Sequence, residues 1–100
     1  MYNFGDIILT EVQFTDTYEI KIRPALVLFE EYDNIVVAGI TSNIQMKGIP
    51  LTKKDGALKE SIVKLNYIFT ISEKMVKKFL FKLSNEKKEL IKKELSSKLK

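Results

Sequence analysis

Arg23-Pro24-Ala25-Leu26-Val27-Leu28-Phe29 and Ile35-Val36-Val37-Ala38-Gly39-Ile40-Thr41-Ser42 are the two stretches that decide the fold. Each is a nearly continuous apolar run rich in branched side chains, and the polar segment Glu30-Glu31-Tyr32-Asp33-Asn34 separates them. Runs of this length bounded by turn residues read as neighbouring, well-buried antiparallel strands joined by that turn. Upstream, Gly5–Phe14 starts with a dense apolar stretch and then alternates, with Thr10, Val12 and Phe14 on one parity, as in a strand. Downstream, Gly48-Ile49-Pro50-Leu51 is a short strand, placed at an edge because Pro50 has no N–H to donate. Lys53-Lys54-Asp55-Gly56 is a turn, and Ser61–Leu65 and Tyr67–Ile71 complete the β part.

After Ile71 the period changes. Val76, Phe79, Leu80 and Leu83 fall at i, i+3, i+4 and i+7, the stripe of an amphipathic helix, with either Ser72 as its N-cap or Thr70 and Glu73 as a capping box one turn earlier. Ser84-Asn85 ends that helix and caps a second one from about Glu86, with Leu90, Ile91, Leu95 and Leu99 facing inward. The expectation is one mainly β domain over residues 1–100 with C-terminal helices (α+β). A small barrel or half-open sheet fills about 1–71, and two helices fill about 73–99.

Composition narrows the chemistry. The 100 residues include no Cys and no His. That excludes disulfides, thiolate nucleophiles, His-based triads, histidine-relay ribonucleases and most zinc hydrolases. No metal or cofactor site is expected, and any catalysis must use Arg, Lys, carboxylates, hydroxyls or amides. No apolar run approaches the roughly 18 residues that cross a bilayer, and no signal pattern opens the chain, so the expected location is cytoplasmic. A chain this small buries a modest share of its surface, which makes a dimer unsurprising. The net charge is +4, but ten Lys against four Glu after residue 72 account for more than all of it. A solvated, Lys-rich helix face explains that excess without any nucleic acid; contact of these helices with nucleic-acid phosphates is the lesser alternative.

Arg23 stands out because it is the one Arg beside sixteen Lys, and it directly precedes Pro24 at the head of a strand. A guanidinium offers what ammonium cannot: planar, bidentate contact with a phosphate or carboxylate. A structural ion pair is the alternative use. Thr41, Ser42 and Asn43 close the facing strand with groups that donate hydrogen bonds, although such residues are also ordinary turn formers. If the two strands pair about Asp33-Asn34, Arg23 and Thr41 come together at one end of the sheet. A cation beside a hydroxyl there suits a phosphodiester.

Taken in order, Gly5-Asp6-Ile7-Ile8, Arg23–Leu28, Ala38–Ser42, Gly48–Leu51, Glu60–Lys64 and Phe69-Thr70-Ile71 resemble the MazF/PemK family of toxin endoribonucleases, roughly from Gly5 to Leu95. The resemblance implies an SH3-like small barrel of the CcdB/PemK type, acting as a homodimer. It also implies metal-independent cleavage of single-stranded RNA by transesterification, leaving a 2′,3′-cyclic phosphate and a 5′-hydroxyl, and inhibition by a cognate antitoxin. The family's catalytic Arg and Thr map to Arg23 and Thr41. Ser42 is an auxiliary candidate, as is Glu19, since an acidic residue is common in that loop of the family; a solvated loop glutamate is the plainer reading. Asn43, Gln45, Lys47 and Tyr67 are the candidates for contact with RNA. Asp6 belongs to the pattern but reads as fixing a strand start.

The chemistry agrees with this assignment. The ribose 2′-OH is the nucleophile, so the protein needs only to align it and to stabilise charge on the phosphate oxygens. Where the family's bacterial members often carry an acid–amide pair and a later Arg, this chain has Asn66-Tyr67 and Phe69. Contacts from that strand therefore do not carry over. Tyr67 or Phe69 can stack on a base, although aromatics in an alternating strand belong by default to the core. The rival reading is a non-catalytic SH3-like module that binds protein, as gyrase poisons do, or binds nucleic acid without cutting it.

Overall fold

The computed structural model describes residues 1–13 and 19–99. Within them lie β1 (Asp6–Gln13), β2 (Ile20–Glu31), β3 (Asn34–Thr41), β4 (Ile49–Leu51), β5 (Ser61–Ser72), β6 (Val76–Lys82) and α1 (Asn85–Lys98). One antiparallel sheet takes the order β4-β5-β3-β2-β1-β6 and curls into a half-barrel with a C-terminal helix. The expectation for Phe14, and for Thr15–Tyr18 of the following loop, lies outside the described residues.

The β2–β3 hairpin forms as its sequence dictates. Its two-residue loop, Tyr32-Asp33, has φ of 52° and 66°. Positive φ at both positions is the geometry whose twist matches paired strands. The apolar runs are continuous because both faces of the sheet are covered. Leu26, Leu28, Ala38 and Ile40 enter one buried cluster with Val63 and Ile91, while Ala25, Val27, Ile35 and Val37 enter another with Ile8 and Ile71. Pro50 sits on an edge strand, where its missing N–H costs no ladder bond. Asp6 fixes the start of β1: its Oδ2 accepts the Asn3 N–H at 2.9 Å, with Lys82 Nζ 4.0 Å from Oδ1.

The structure corrects the expectation of two C-terminal helices. Val76–Lys82 is a strand paired with β1, and only Asn85–Lys98 is α-helical. Ser72 does cap, but over a single 3₁₀ turn at Glu73–Met75. Seven residues make a marginal helix, whereas pairing satisfies their backbone along the otherwise open edge of β1. The two segments read separately as Ser61–Leu65 and Tyr67–Ile71 are one strand, β5.

Ser84 caps α1 as read, its Oγ accepting the Lys87 N–H at 3.2 Å. Ile91 is fully buried and Leu95 half-buried, whereas Leu90 and Leu99 are exposed, against the expectation for both. Burying Ile91 contributes about 1.5–3 kcal/mol. A polar clamp adds to it: Lys87 Nζ donates to the Pro50 carbonyl at 3.0 Å and lies 3.5 Å from Asp55 Oδ2. Asp55 Oδ2 also accepts from the Thr52 N–H and hydroxyl at 2.8 and 3.0 Å. Burial pushes the Asp55 carboxyl up, but the Thr52 hydrogen bonds and the Lys87 charge outweigh it and hold the group below its ordinary value.

Candidate active site

The β2–β3 ladder ends at Ala25↔Gly39, and two residues further along the two strands stand Arg23 and Thr41. Pro24 restricts the backbone of Arg23 to extended conformations, so the side chain leaves the strand in a fixed direction. Arg23 is exposed, lies opposite Thr10 of β1, and donates from Nη1 to the Ile22 carbonyl at 3.3 Å. Thr41 is half-buried, and its Oγ1 accepts the Asn43 N–H at 3.1 Å. The turn continues on its own side chains, with Asn43 Oδ1 accepting the Gln45 N–H at 3.1 Å. Because Thr41 Oγ1 already accepts from the loop, its own proton is available to a ligand.

Both residues line one open concavity of about 700 Å³. Its floor depends on an irregularity in β5. The pairs Ala38↔Ile68 and Gly39↔Lys64 leave Leu65, Asn66 and Tyr67 without partners on β3. This insertion lays the Tyr67 ring across Gly39, where an added Cβ would fall 2.6 Å from Tyr67 Cδ2. Tyr67 also meets Phe69, with ring centroids 5.0 Å apart.

The charge is of one sign. Arg23, Lys59 and Lys64 line the concavity, and no carboxylate does so among the described residues. The described ion pairs of the chain use Lys21, Lys77, Lys82, Lys87 and Lys92, none of which lines it. Three cations lining an open hollow, with no carboxylate among the described lining residues, give it a positive potential.

Of the other sequence candidates, Ser42 and Tyr67 line the same concavity, and Lys47 lines a neighbouring groove. Asn43 and Gln45 line neither; Asn43 is used to fold the loop. Glu19 is exposed, pairs with Lys21 at 3.5 Å, and does not line the concavity. Sequence reasoning missed Lys59, Lys64 and Asn66 as site residues. Lys64 lay within the Glu60–Lys64 stretch, at the last regular pair before the three-residue insertion, and Asn66 lies in that insertion, which leaves no periodic signal. Among the described residues, no group of three or more Asp or Glu side chains is placed to hold a metal ion, and no helix is long and apolar enough to cross a membrane.

The fold and site together define a small curled β half-barrel with a positively charged hollow at its strand ends. The family model described as "PemK-like, MazF-like toxin of type II toxin-antitoxin system" matches residues 3–99, and the chain belongs to that family. Among solved structures it is similar to an "Endoribonuclease in complex with its cognate antitoxin from Mycobacterial species". The TM-score is 0.75 at 13% identity, covering 98% of this chain and 92% of that one. No curated protein sequence matches.

Proposed function

We propose that this chain is a toxin endoribonuclease that cleaves single-stranded RNA by metal-independent attack of a ribose 2′-OH on the adjacent phosphorus. The products are a 2′,3′-cyclic phosphate and a 5′-hydroxyl. The observation that carries this reading is the convergence of Arg23 and the Thr41 hydroxyl on one cationic, solvent-open hollow. Family membership supports it, as does the similarity to an endoribonuclease.

In this reading Arg23 binds the scissile phosphate and stabilises the charge that grows on its equatorial oxygens. Thr41 donates its free proton to the same phosphate and sets its orientation, with Ser42 beside it. Tyr67 offers a face on which a base stacks. Arg23 serves as an electrostatic partner to the phosphate and not as the base. Among the described residues the hollow contains no carboxylate and the chain has no His, so alignment and charge stabilisation carry the rate. A cognate antitoxin that covers the hollow, and a second copy of the chain, complete the reading.

The test is incubation of purified protein with long single-stranded RNA in EDTA, followed by end-group analysis. Cyclic phosphate and 5′-hydroxyl ends are expected. Binding without cleavage would replace this reading with the non-catalytic module.

A further inference from the structure

The hollow is not the only cationic recess. A groove of about 530 Å³ opens between α1 and the β4–β5 edge, and Lys64 and Asn66 line both it and the hollow. The two recesses therefore adjoin each other, with Lys64 and Asn66 at the insertion in β5 as their common wall. The groove adds Lys47 and Lys98 to Lys64, against one carboxylate, Glu94. None of these lysines takes part in the described ion pairs. Its remaining surface is apolar: Pro50 from the edge strand, and Leu90, which is 43% exposed although it lies on the helix that carries Ile91 into the core. From Leu90 to Lys98 the helix wall runs on the order of 12 Å, enough for a few nucleotides beyond the cleaved linkage.

From this shared wall and the like charge on both sides of it, we infer that the α1 groove is an extension of the RNA path. Lys64 sits at the junction, Lys47 and Lys98 hold phosphates along the groove, and Leu90 and Pro50 form an apolar wall against which riboses and bases lie. The inference rests on the ribonuclease reading and deepens it: the substrate is a strand that extends past the site on the side of α1, so cleavage efficiency depends on RNA length. Unpaired cations over an apolar floor match the combination that sequence-tolerant single-strand sites use. The Lys-rich helix thereby gains a use beyond solvation at Lys98, while its remaining lysines stay solvated or paired.

The experiment compares kcat/KM for a short oligoribonucleotide of roughly four nucleotides with that for one of roughly twelve. The double variant Lys47→Gln/Lys98→Gln should lower the long-over-short ratio about tenfold, mainly through KM. Binding of a 2′-deoxy-blocked, uncleavable twelve-mer should lose about 1.4 from its log K versus log[salt] slope, about 0.7 for each phosphate contact. Lys93→Gln, on the same helix but lining neither recess, should leave the ratio where it was. Circular dichroism and melting confirm that the variants are folded. An unchanged ratio overturns the inference, as does an equal effect from Lys93→Gln. So does a variant that keeps the ratio but loses affinity for an acidic antitoxin segment, which would make the groove a protein site. If the parent cuts neither oligonucleotide, the ribonuclease reading itself fails, a result distinct from parent cleavage with an unchanged ratio.

Discussion

Replacing Thr41 by Val keeps the shape of the side chain and exchanges its hydroxyl for a methyl. Two interactions are lost, with different consequences. The Asn43 N–H loses its acceptor at 3.1 Å, but Asn43 is exposed and water takes the vacant place. That loss costs at most about 1 kcal/mol, or roughly 4–8 °C in Tm for a domain of this size. The second loss is the proton directed at the phosphate. A preorganised donor facing developing charge contributes about 2.7–4 kcal/mol, so kcat should fall by about 10²–10³. Thr41→Ser keeps both interactions and should retain most activity. The assay is single-turnover cleavage of a labelled RNA in EDTA, run beside thermal melts. A Val variant that cuts close to the parent rate would refute the donor role. A Ser variant as inactive as the Val variant would refute the hydroxyl as the active element.

Gly39→Ala should displace the Tyr67 ring, since the new Cβ would stand 2.6 and 3.2 Å from its Cδ2 and Cε2. A loss of about 1–3 kcal/mol in a denaturant melt is expected, relieved when Tyr67→Ala is added to the same chain. The lowered Asp55 pKa means that its clamp on Lys87 stabilises the fold above the unfolded value of 3.8 and is lost as pH falls through the folded value. Tm followed from neutral to acid pH should therefore drop below about pH 4, and Asp55→Asn should remove part of that drop while lowering Tm at neutral pH. With no imidazole in the chain and no carboxylate among the described lining residues, log kcat/KM should rise steadily from about pH 5 to about pH 8. An inflection in the carboxylate range would instead identify a carboxylate base, Glu19 foremost.

The hairpin was legible because nothing competes with its pattern: two apolar runs around a polar turn admit few other arrangements. Its ends carried Arg23 and Thr41 into one hollow for the same reason, since strand pairing alone brings the start of one strand beside the end of the next. The segment Val76–Lys82 misled because its pairing with β1 is irregular. Register shifts between Ile7/Ile8 and Leu9/Thr10 insert extra residues into β6, which breaks the two-residue alternation and leaves apolar positions at helical spacing. The inward face assigned to Leu90 and Leu99 failed because α1 rests on the sheet along a narrow line through Ile91, with Leu95 only half-buried. Asn66 and the α1 groove were illegible because they depend on where β5 departs from regular pairing and on how a helix lies across an edge strand. Both are tertiary choices that no local period records.

Arg23→Lys in single-turnover cleavage of single-stranded RNA probes the guanidinium on which the chemistry rests. The substitution keeps the positive charge and leaves an exposed strand end otherwise intact. A rate reduced by about 10² or more with an unchanged melt is the expected result, because ammonium cannot span two phosphate oxygens in one plane. A lysine variant that cleaves as fast as the parent would contradict the account.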